Sequence, residues 1–340
     1  MTFYLIGIDH KNAPLMVREE TYRQRQDIYD FWQTAAGEAA VLFTCNRVEV
    51  YGAARDVSSV KKTINLFRIR FPGLFDRAYV KKGNGEVIHH ALRLASGLES
   101  LLLGEREIME QLNSWISQDL FPVPLRKMWM KTLIQAQDIR NKSALDGYVH
   151  NIAELVLEDL SLRVGTKEKK KIVIIGTGKI ARLFAEKYTP RMDLYFVSRK
   201  KHSKARRLAE KAGGTAVLMK DLSGVLSAAD TVISATSSPH YVLRKHQLIP
   251  IIEKREKDLY IYDLAVPRDI EPDIKNIKGA LVRNLDDLVP LFEKNNRNLF
   301  RHVQRAEFLI EEAMKILKEE GDIDAHPAWD AAQLAGVNAD

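Results

Sequence analysis

The chain has 340 residues, 46% hydrophobic and 29% charged, which suits two or three packed domains and argues against a mainly disordered state. One cysteine cannot form an internal disulfide, the run at residues 2–8 is too short for a secretory signal, and no window holds the roughly 18 uncharged apolar residues of a membrane span. A cytoplasmic protein without membrane contact is expected, and the net charge of +7, from 52 basic and 45 acidic residues, favours a polyanionic partner only mildly.

Residues 3–8 read as a short strand, 18–34 as a helix and 39–51 as a β-rich segment, so an α/β unit opens the chain. From 86 to about 140 the pattern is helical. It is interrupted at Pro122-Val123-Pro124, where the first proline ends one helix and the second suits the first turn of the next. A further helix is predicted over 151–162. The charged run Lys167-Glu168-Lys169-Lys170-Lys171, read as a solvated linker, then leads into Ile172-Val173-Ile174-Ile175, an apolar strand of the kind buried on both faces of a parallel sheet. Short strands at 194–197, 216–218, 231–234, 259–262 and 280–282 alternate with helical stretches, the pattern of a doubly wound fold. In the last helical region Leu299, Val303, Ala306, Ile310, Ala313 and Leu317 form a narrow apolar seam, fit either for a partner helix or for this chain's own N-terminal unit. No internal repeat or low-complexity tract is present. Three segments result: 1–145, a catalytic α/β domain; 146–284, a Rossmann-type domain; and 285–340, a long C-terminal helix and tail.

Gly176-Thr177-Gly178-Lys179-Ile180-Ala181 follows a strand and opens a helix, the context that makes G-x-G-x-x-A a dinucleotide site. Gly176 suits the tight turn, Gly178 lets the backbone approach a pyrophosphate, and Ala181 allows close helix–strand packing, with the helix N-terminus supplying amide donors. The next strand ends at Ser198, Arg199 and Lys200, where an NAD site would usually place an acid on the ribose. A guanidinium and an ammonium there suit a 2′-phosphate, so NADPH is expected. No metal is expected.

The lone cysteine sits in Val41-Leu42-Phe43-Thr44-Cys45-Asn46-Arg47-Val48-Glu49-Val50-Tyr51-Gly52. A single cysteine is by habit a small buried hydrophobe, but here polar residues flank it, and a nearby guanidinium could stabilise a thiolate or bind an anionic substrate. A thiol in a chain that also binds a nicotinamide suggests a thioester reduced by hydride.

The order and content of these blocks resemble the glutamyl-tRNA reductase family. Gly7-Ile8-Asp9-His10-Lys11-Asn12-Ala13-Pro14 with Arg18-Glu19, then Thr44 to Tyr51, then His90-Ala91-Leu92-Arg93-Leu94-Ala95-Ser96-Gly97-Leu98-Glu99-Ser100 with Gly104-Glu105, carry the likeness in the first half. Asp263-Leu264-Ala265-Val266-Pro267-Arg268-Asp269 and Asn284-Leu285-Asp286-Asp287-Leu288 carry it in the second. The resemblance implies that Cys45 attacks the ester of glutamyl-tRNA(Glu), releases the tRNA, and leaves a thioester that NADPH reduces to glutamate-1-semialdehyde, the first step of five-carbon tetrapyrrole synthesis. It implies further that His90 manages protons and that Thr44, Arg47, Ser100, Glu105 and Gln111 bind the substrate. His10 is expected to support loop geometry. Asp263 and Arg268 are expected either to order a domain interface or nicotinamide end, or to form a structural ion pair. Glutamate-1-semialdehyde aminotransferase is an implied partner.

The chain departs from the family at Glu107, Glu110 and Asn113, where Gln, Gly and Lys are usual, at residues 137–143, which keep only Arg140 of a more basic segment, and at His150, usually serine. Contacts to tRNA or cofactor are expected to differ there. Family members usually continue into a helical dimerisation domain; this chain ends about twenty residues after Glu320, so that domain is expected to be absent or vestigial and the protein a monomer or weak dimer. The alternative function is an NADP- and tRNA-binding regulator of weak activity; retention of the thiol argues against it.

Overall fold

Alternating β-branched and aromatic residues make Thr2–Asp9 a strand (β1), and it pairs antiparallel along its whole length with Arg47–Ala54 (β3). In the computed structural model residues 1–35, 38–145, 151–164, 169–187, 189–199 and 202–319 are described. Between β1 and β3 lie α1 (Leu15–Arg23), α2 (Arg25–Ala35) and β2 (Glu38–Phe43). After β3 come α3 (Val57–Arg70), the single turn α4 (Pro72–Phe75), β4 (Tyr79–Lys82), α5 (Asn84–Ala95), α6 (Glu107–Ile116) and α7 (Val123–Ser143). The chain forms two compact units, one of residues 1–12, 26–149 and 299–340, the other of 13–25 and 150–298. These boundaries cut the chain differently from the three segments at 145 and 284 expected from sequence.

In the first unit the sheet order is β2-β3-β1-β4, and the side-chain period of two sorts its residues between two faces. Ile6, Ile8, Val48 and Val50 meet Ile28 of α2, Phe67 of α3 and Leu74 of α4 around one small apolar cavity. Leu5, Leu42, Tyr51 and Ala53 face the other way, into a core with α5, α6 and α7 in which Tyr51, Trp115 and Trp129 pack edge-on or tilted.

The second unit holds α1, α8 (Ile152–Val164), β5 (Lys170–Ile175), α9 (Lys179–Glu186), β6 (Met192–Ser198), α10 (His202–Ala212), β7 (Thr215–Leu218), α11 (Leu222–Leu226), β8 (Thr231–Ser234), α12 (Lys245–Ile252), β9 (Leu259–Asp263), β10 (Ala280–Asn284) and α13 (Val289–Asn298). Its six strands are all parallel, in the order β10-β9-β8-β5-β6-β7. Counted from β5, that is the Rossmann order, with its switch point between β5 and β8. Every strand expected from sequence in this half is present.

Three expectations change. The helix expected over 18–34 is broken at Gln24, whose backbone leaves helical geometry, because α1 belongs to one compact unit and α2 to the other. The helix before Pro122 already ends at Ile116, and Pro122 is the N-cap of α7, so both prolines serve the start of one helix. The seam on α14 (Phe300–Glu319) is not left for another molecule: Ala306, Ile310 and Leu317 are buried in the first unit's core against α5 and α7, with Val303 and Ala313 beside them. His150, Lys200, Lys167 and Glu168 of the charged run, and the tail beyond Glu319 lie outside the described residues. Among the described residues no helix is long and apolar enough to cross a membrane.

Ile310 has no exposed surface. Ile310→Ala should therefore lower the stability of the first unit by about 3 kcal/mol, read as a shift in the urea midpoint.

Candidate functional site

The β-rich stretch at 39–51 is a hairpin, and Cys45 is exposed in the turn between β2 and β3. Thr44 closes that turn: its hydroxyl accepts the N–H groups of Asn46 (3.2 Å) and Arg47 (3.1 Å), and its own N–H donates to the Arg47 carbonyl at 2.9 Å. The thiol is thus held on a short, hydrogen-bonded loop at the end of the sheet.

Below the turn, Arg47, Glu49 and Tyr51 face the α5 side. Glu49 has no exposed surface and collects four donors: Arg47 Nη1 (2.6 Å), the Tyr51 hydroxyl (2.7 Å), the Tyr79 hydroxyl, and His90 Nε2 at 2.9 Å. Burial alone would raise its pKa, but the charges of His90 and Arg47 and the hydrogen bonds from His90 and Tyr79 outweigh it and hold the carboxylate well below its ordinary range. Burial likewise works against the Arg47 charge, and Glu49 above all restores it, so the guanidinium stays protonated. The Tyr51 and Tyr79 hydroxyls are pushed up, first by burial and then by Glu49, and remain donors.

The second edge of the Arg47 guanidinium donates to the Glu99 carbonyl. The fork that the resemblance assigns to substrate is therefore engaged with Glu49 and with the loop that carries Ser100. Glu99 itself receives Lys11 Nζ and Arg93 Nε; burial raises its pKa, but Lys11 and then Arg93 prevail and lower it to about 2. Lys11 belongs to a tight turn in which Asp9 N–H donates to Asn12 Oδ1 and Lys11 N–H to Asp9 Oδ1, both at 2.8 Å. In register, Asp9 lies opposite Arg47 and Gly7 opposite Glu49. The first three motifs of the sequence thus converge: the turn at Asp9–Asn12, the Cys45 hairpin, His90 and the Glu99–Ser100 loop. His10 is half-buried in that turn.

Arg140 fixes the Ser100 loop from behind. It is 1% exposed, and it donates to the carbonyls of Ser96 (3.1 Å) and Gly104 (2.7 Å). The residue that sequence associates with a basic nucleic-acid segment is here a buried brace. Ser100 is buried, and its hydroxyl has no hydrogen-bond partner among the described residues. Glu105 is half-buried just past Gly104, whereas Gln111 is exposed on α6. Glu49 and Glu99 are the functional residues missed by sequence reasoning; a glutamate between two valines inside a strand is the signal that could have found the first.

In the second unit, Gly176 ends β5 at φ 121°, and a Cβ there would stand 2.5 Å from the Ala235 carbonyl oxygen, so no other residue fits. Gly178 is the N-cap of α9 and has nothing within 4 Å of where its Cβ would be, which leaves the backbone open to a bulky anion. Thr177, Lys179 and Ile180 are half-buried around it, and Ala181 is buried. Ser198 at the end of β6 is 5% exposed, its hydroxyl has no hydrogen-bond partner among the described residues, and Arg199 beside it is exposed. An open helix N-terminus, an orphaned hydroxyl and a guanidinium fit the diphosphate and ribose end of a dinucleotide. Among the described residues no group of three or more His, Cys, Asp or Glu could hold a metal.

The later motifs make their contacts within the second unit. Arg268 makes a two-point pair with Glu19 of α1 (2.8 and 2.7 Å), and its N–H adds a third bond at 2.6 Å. Arg18 pairs with Asp286, which also accepts the Leu15 N–H at 2.8 Å. Asp263 accepts the N–H groups of Ala265, Asp269 and Ile270, and burial first, with Asp269 nearby, pushes its pKa up to about 7.

Residues 6–121 match the family model described as glutamyl-tRNAGlu reductase, N-terminal domain, and residues 159–291 match the one for shikimate / quinate 5-dehydrogenase. The chain is 32% identical over 286 residues to glutamyl-tRNA reductase of Methanococcoides burtonii, covering 83% of this chain and 67% of the relative. It is 32% identical over 321 residues to that of Thermus thermophilus, covering 92% and 79%. A solved glutamyl-tRNA reductase from Methanopyrus kandleri is 27% identical, covers 94% of this chain and is itself covered to 80%, and has a TM-score of 0.48.

Glu49→Gln removes the counter-charge of a buried guanidinium and should cost about 3 kcal/mol at neutral pH. A carboxylate whose pKa is depressed on folding stabilises fully above its unfolded value, near 4.3, and loses that contribution as pH falls through the folded value. The stability gap between the unaltered protein and Glu49→Gln should therefore narrow in acid, which urea unfolding at neutral and acid pH would measure.

Proposed function

The chain belongs to the glutamyl-tRNA reductase family, a family of oxidoreductases, and from that premise we propose that it reduces glutamyl-tRNA(Glu) to glutamate-1-semialdehyde with NADPH, through a thioester on Cys45. On this reading it opens five-carbon tetrapyrrole synthesis. The observation that carries the reading is the placement of the single thiol: exposed at a hairpin tip whose base is locked by the buried Arg47, Glu49 and His90.

The Cys45 thiolate attacks the ester carbonyl, the bond from that carbon to the ribose oxygen breaks, and the tRNA leaves as its alcohol after taking up a proton. Glu49 holds the His90 imidazole in one orientation through the bond to Nε2, and an imidazole fixed beside the nucleophile's hairpin is suited to supply that proton. Arg47 keeps the Glu99–Ser100 loop beside the nucleophile's turn, so that Thr44 and the unpartnered Ser100 hydroxyl can hold the glutamyl group. Gly176, Gly178 and the α9 N-terminus would hold the coenzyme's diphosphate, and Ser198 with Arg199 its 2′-phosphate. When bound, NADPH supplies the hydride that converts the thioester to aldehyde and returns the thiolate.

Given charged tRNA without NADPH, the protein should release tRNA and carry a glutamyl adduct on the Cys45 peptide, visible by mass spectrometry. Cys45→Ser should lose this, because an alcohol without a strong base is a far weaker nucleophile at neutral pH. Full semialdehyde formation by Cys45→Ser would refute the covalent route, and binding of tRNA and NADPH without turnover by the unaltered protein would point to a regulator. Turnover with NADPH should exceed that with NADH, and Arg199→Ala should erase most of the difference; equal use of both by the unaltered protein would refute the 2′-phosphate assignment.

A further inference from the structure

Residues 55–82 contain eight of the chain's 52 basic residues and two of its 45 acidic ones. The remaining 44 basic and 43 acidic residues nearly cancel, so almost all of the net charge of +7 resides in one crossover, β3 to α3 to β4.

The fold turns this charge outward. α3 buries Val60, Thr63, Ile64 and Phe67 and packs on β1 and β3, which leaves Lys61, Lys62, Arg68 and Arg70 exposed. Arg77 is exposed beyond α4, and Lys81 and Lys82 stand on β4, an edge strand. Lys61 and Arg68 are two helical turns apart, about 10 Å along one side of the helix. Helix and strand share one field: the Lys82 ammonium is disfavoured by its burial and then by the charge of Lys61. Around the site itself the cations are paired, Lys11 and Arg93 with Glu99 and Arg93 also with Glu307. Lys61, Lys62, Arg68, Arg77 and Lys81 form no ion pair among the described residues. Lysines commonly guard an edge strand against pairing with another chain, which would account for β4 but not for α3 or Arg77.

The direction of the crossover matters. β3 runs away from the Cys45 turn, and β4 runs parallel to it, since both pair antiparallel with β1. The chain returns through α3 to the sheet end that bears the thiol, where Tyr79 lies opposite Gly7 and its hydroxyl reaches Glu49. A strip of unneutralised cations thus extends along the sheet from that end, over a length on the order of 20 Å. We infer that the exposed side of α3, with Arg77 and the start of β4, is the surface on which the phosphate backbone of the tRNA lies while its acylated end occupies the Cys45 turn. The inference rests on the reading of tRNA as substrate. Its contacts are phosphate contacts, which fix position without reading base sequence.

The test is binding of unacylated tRNA(Glu) across about 50–200 mM salt. The triple variant Lys61→Ala/Lys62→Ala/Arg68→Ala should bind at least about tenfold more weakly and show a salt slope shallower by roughly 2 to 3, one unit for each lost phosphate contact. Its unfolding midpoint and its NADPH-dependent reduction of a small glutamyl thioester should stay unchanged, since these side chains are exposed and distant in role from the thiol. Lys220→Ala/Lys254→Ala/Lys275→Ala removes the same charge from exposed positions elsewhere and should leave affinity within about twofold. Unaltered affinity and slope in the first variant, or an equal loss in the second, would overturn this surface while leaving the substrate reading intact. Failure of the unaltered protein to bind tRNA at all would overturn both.

Discussion

Glu49 is an ionised carboxylate with no exposed surface, and the first unit's site is organised around it. Removing an ion from water costs several kcal/mol, and that cost is offset only where well-aligned donors surround it. Here Arg47, Tyr51, Tyr79 and His90 come from two strands and a helix of very different sequence position, so the carboxylate ties β3, β4 and α5 together at one point. The same arrangement sets the site's chemistry. It holds an imidazole in one orientation, keeps a guanidinium charged in the interior, and through that guanidinium draws the Glu99–Ser100 loop to the base of the thiol's hairpin.

Around this centre the fold separates rigid parts from reactive ones. Cys45 projects from a turn that its neighbours close with their own hydrogen bonds, whereas the groups that orient it lie beneath, out of water. Arg140 adds a second brace by filling two carbonyls of the Ser96–Gly104 loop. In the parallel-sheet unit the division recurs: Gly176 and Ala181 serve packing, while Gly178, Ser198 and Arg199 are the positions left open toward a ligand. The positive strip on α3 belongs with the open side of this division, because its cations, unlike those around Glu99, form no ion pair among the described residues.

Several conspicuous motifs turn out to fasten the second unit. Arg18 and Glu19 engage Asp286 and Arg268, and Asp263 gathers the N–H groups of the loop after β9. Their polarity marks them out in the sequence much as a catalytic group would be marked, and nothing in a linear reading separates a buried clamp from a reactive residue. The partner decides, and the partner of Glu19 is 249 positions away.

The sequence by itself determined the parts whose signal is local. The strand–glycine–helix passage at Ile175 to Ala181, the five further strands of the parallel sheet and the polar setting of Cys45 depend on neighbours within a few residues, and the periodicity of apolar side chains records them. Only the tertiary structure decided what the long-range contacts assign. It put the Leu299–Leu317 seam on the chain's own α5 and α7, and it split the helix expected at 18–34 between two units. It made Arg140 a brace and turned the Arg47 fork toward Glu49 and the Glu99 carbonyl. An apolar seam or a guanidinium states only what it needs; which of several equivalent partners meets the need depends on how distant segments are brought together, and that information is spread over the whole chain.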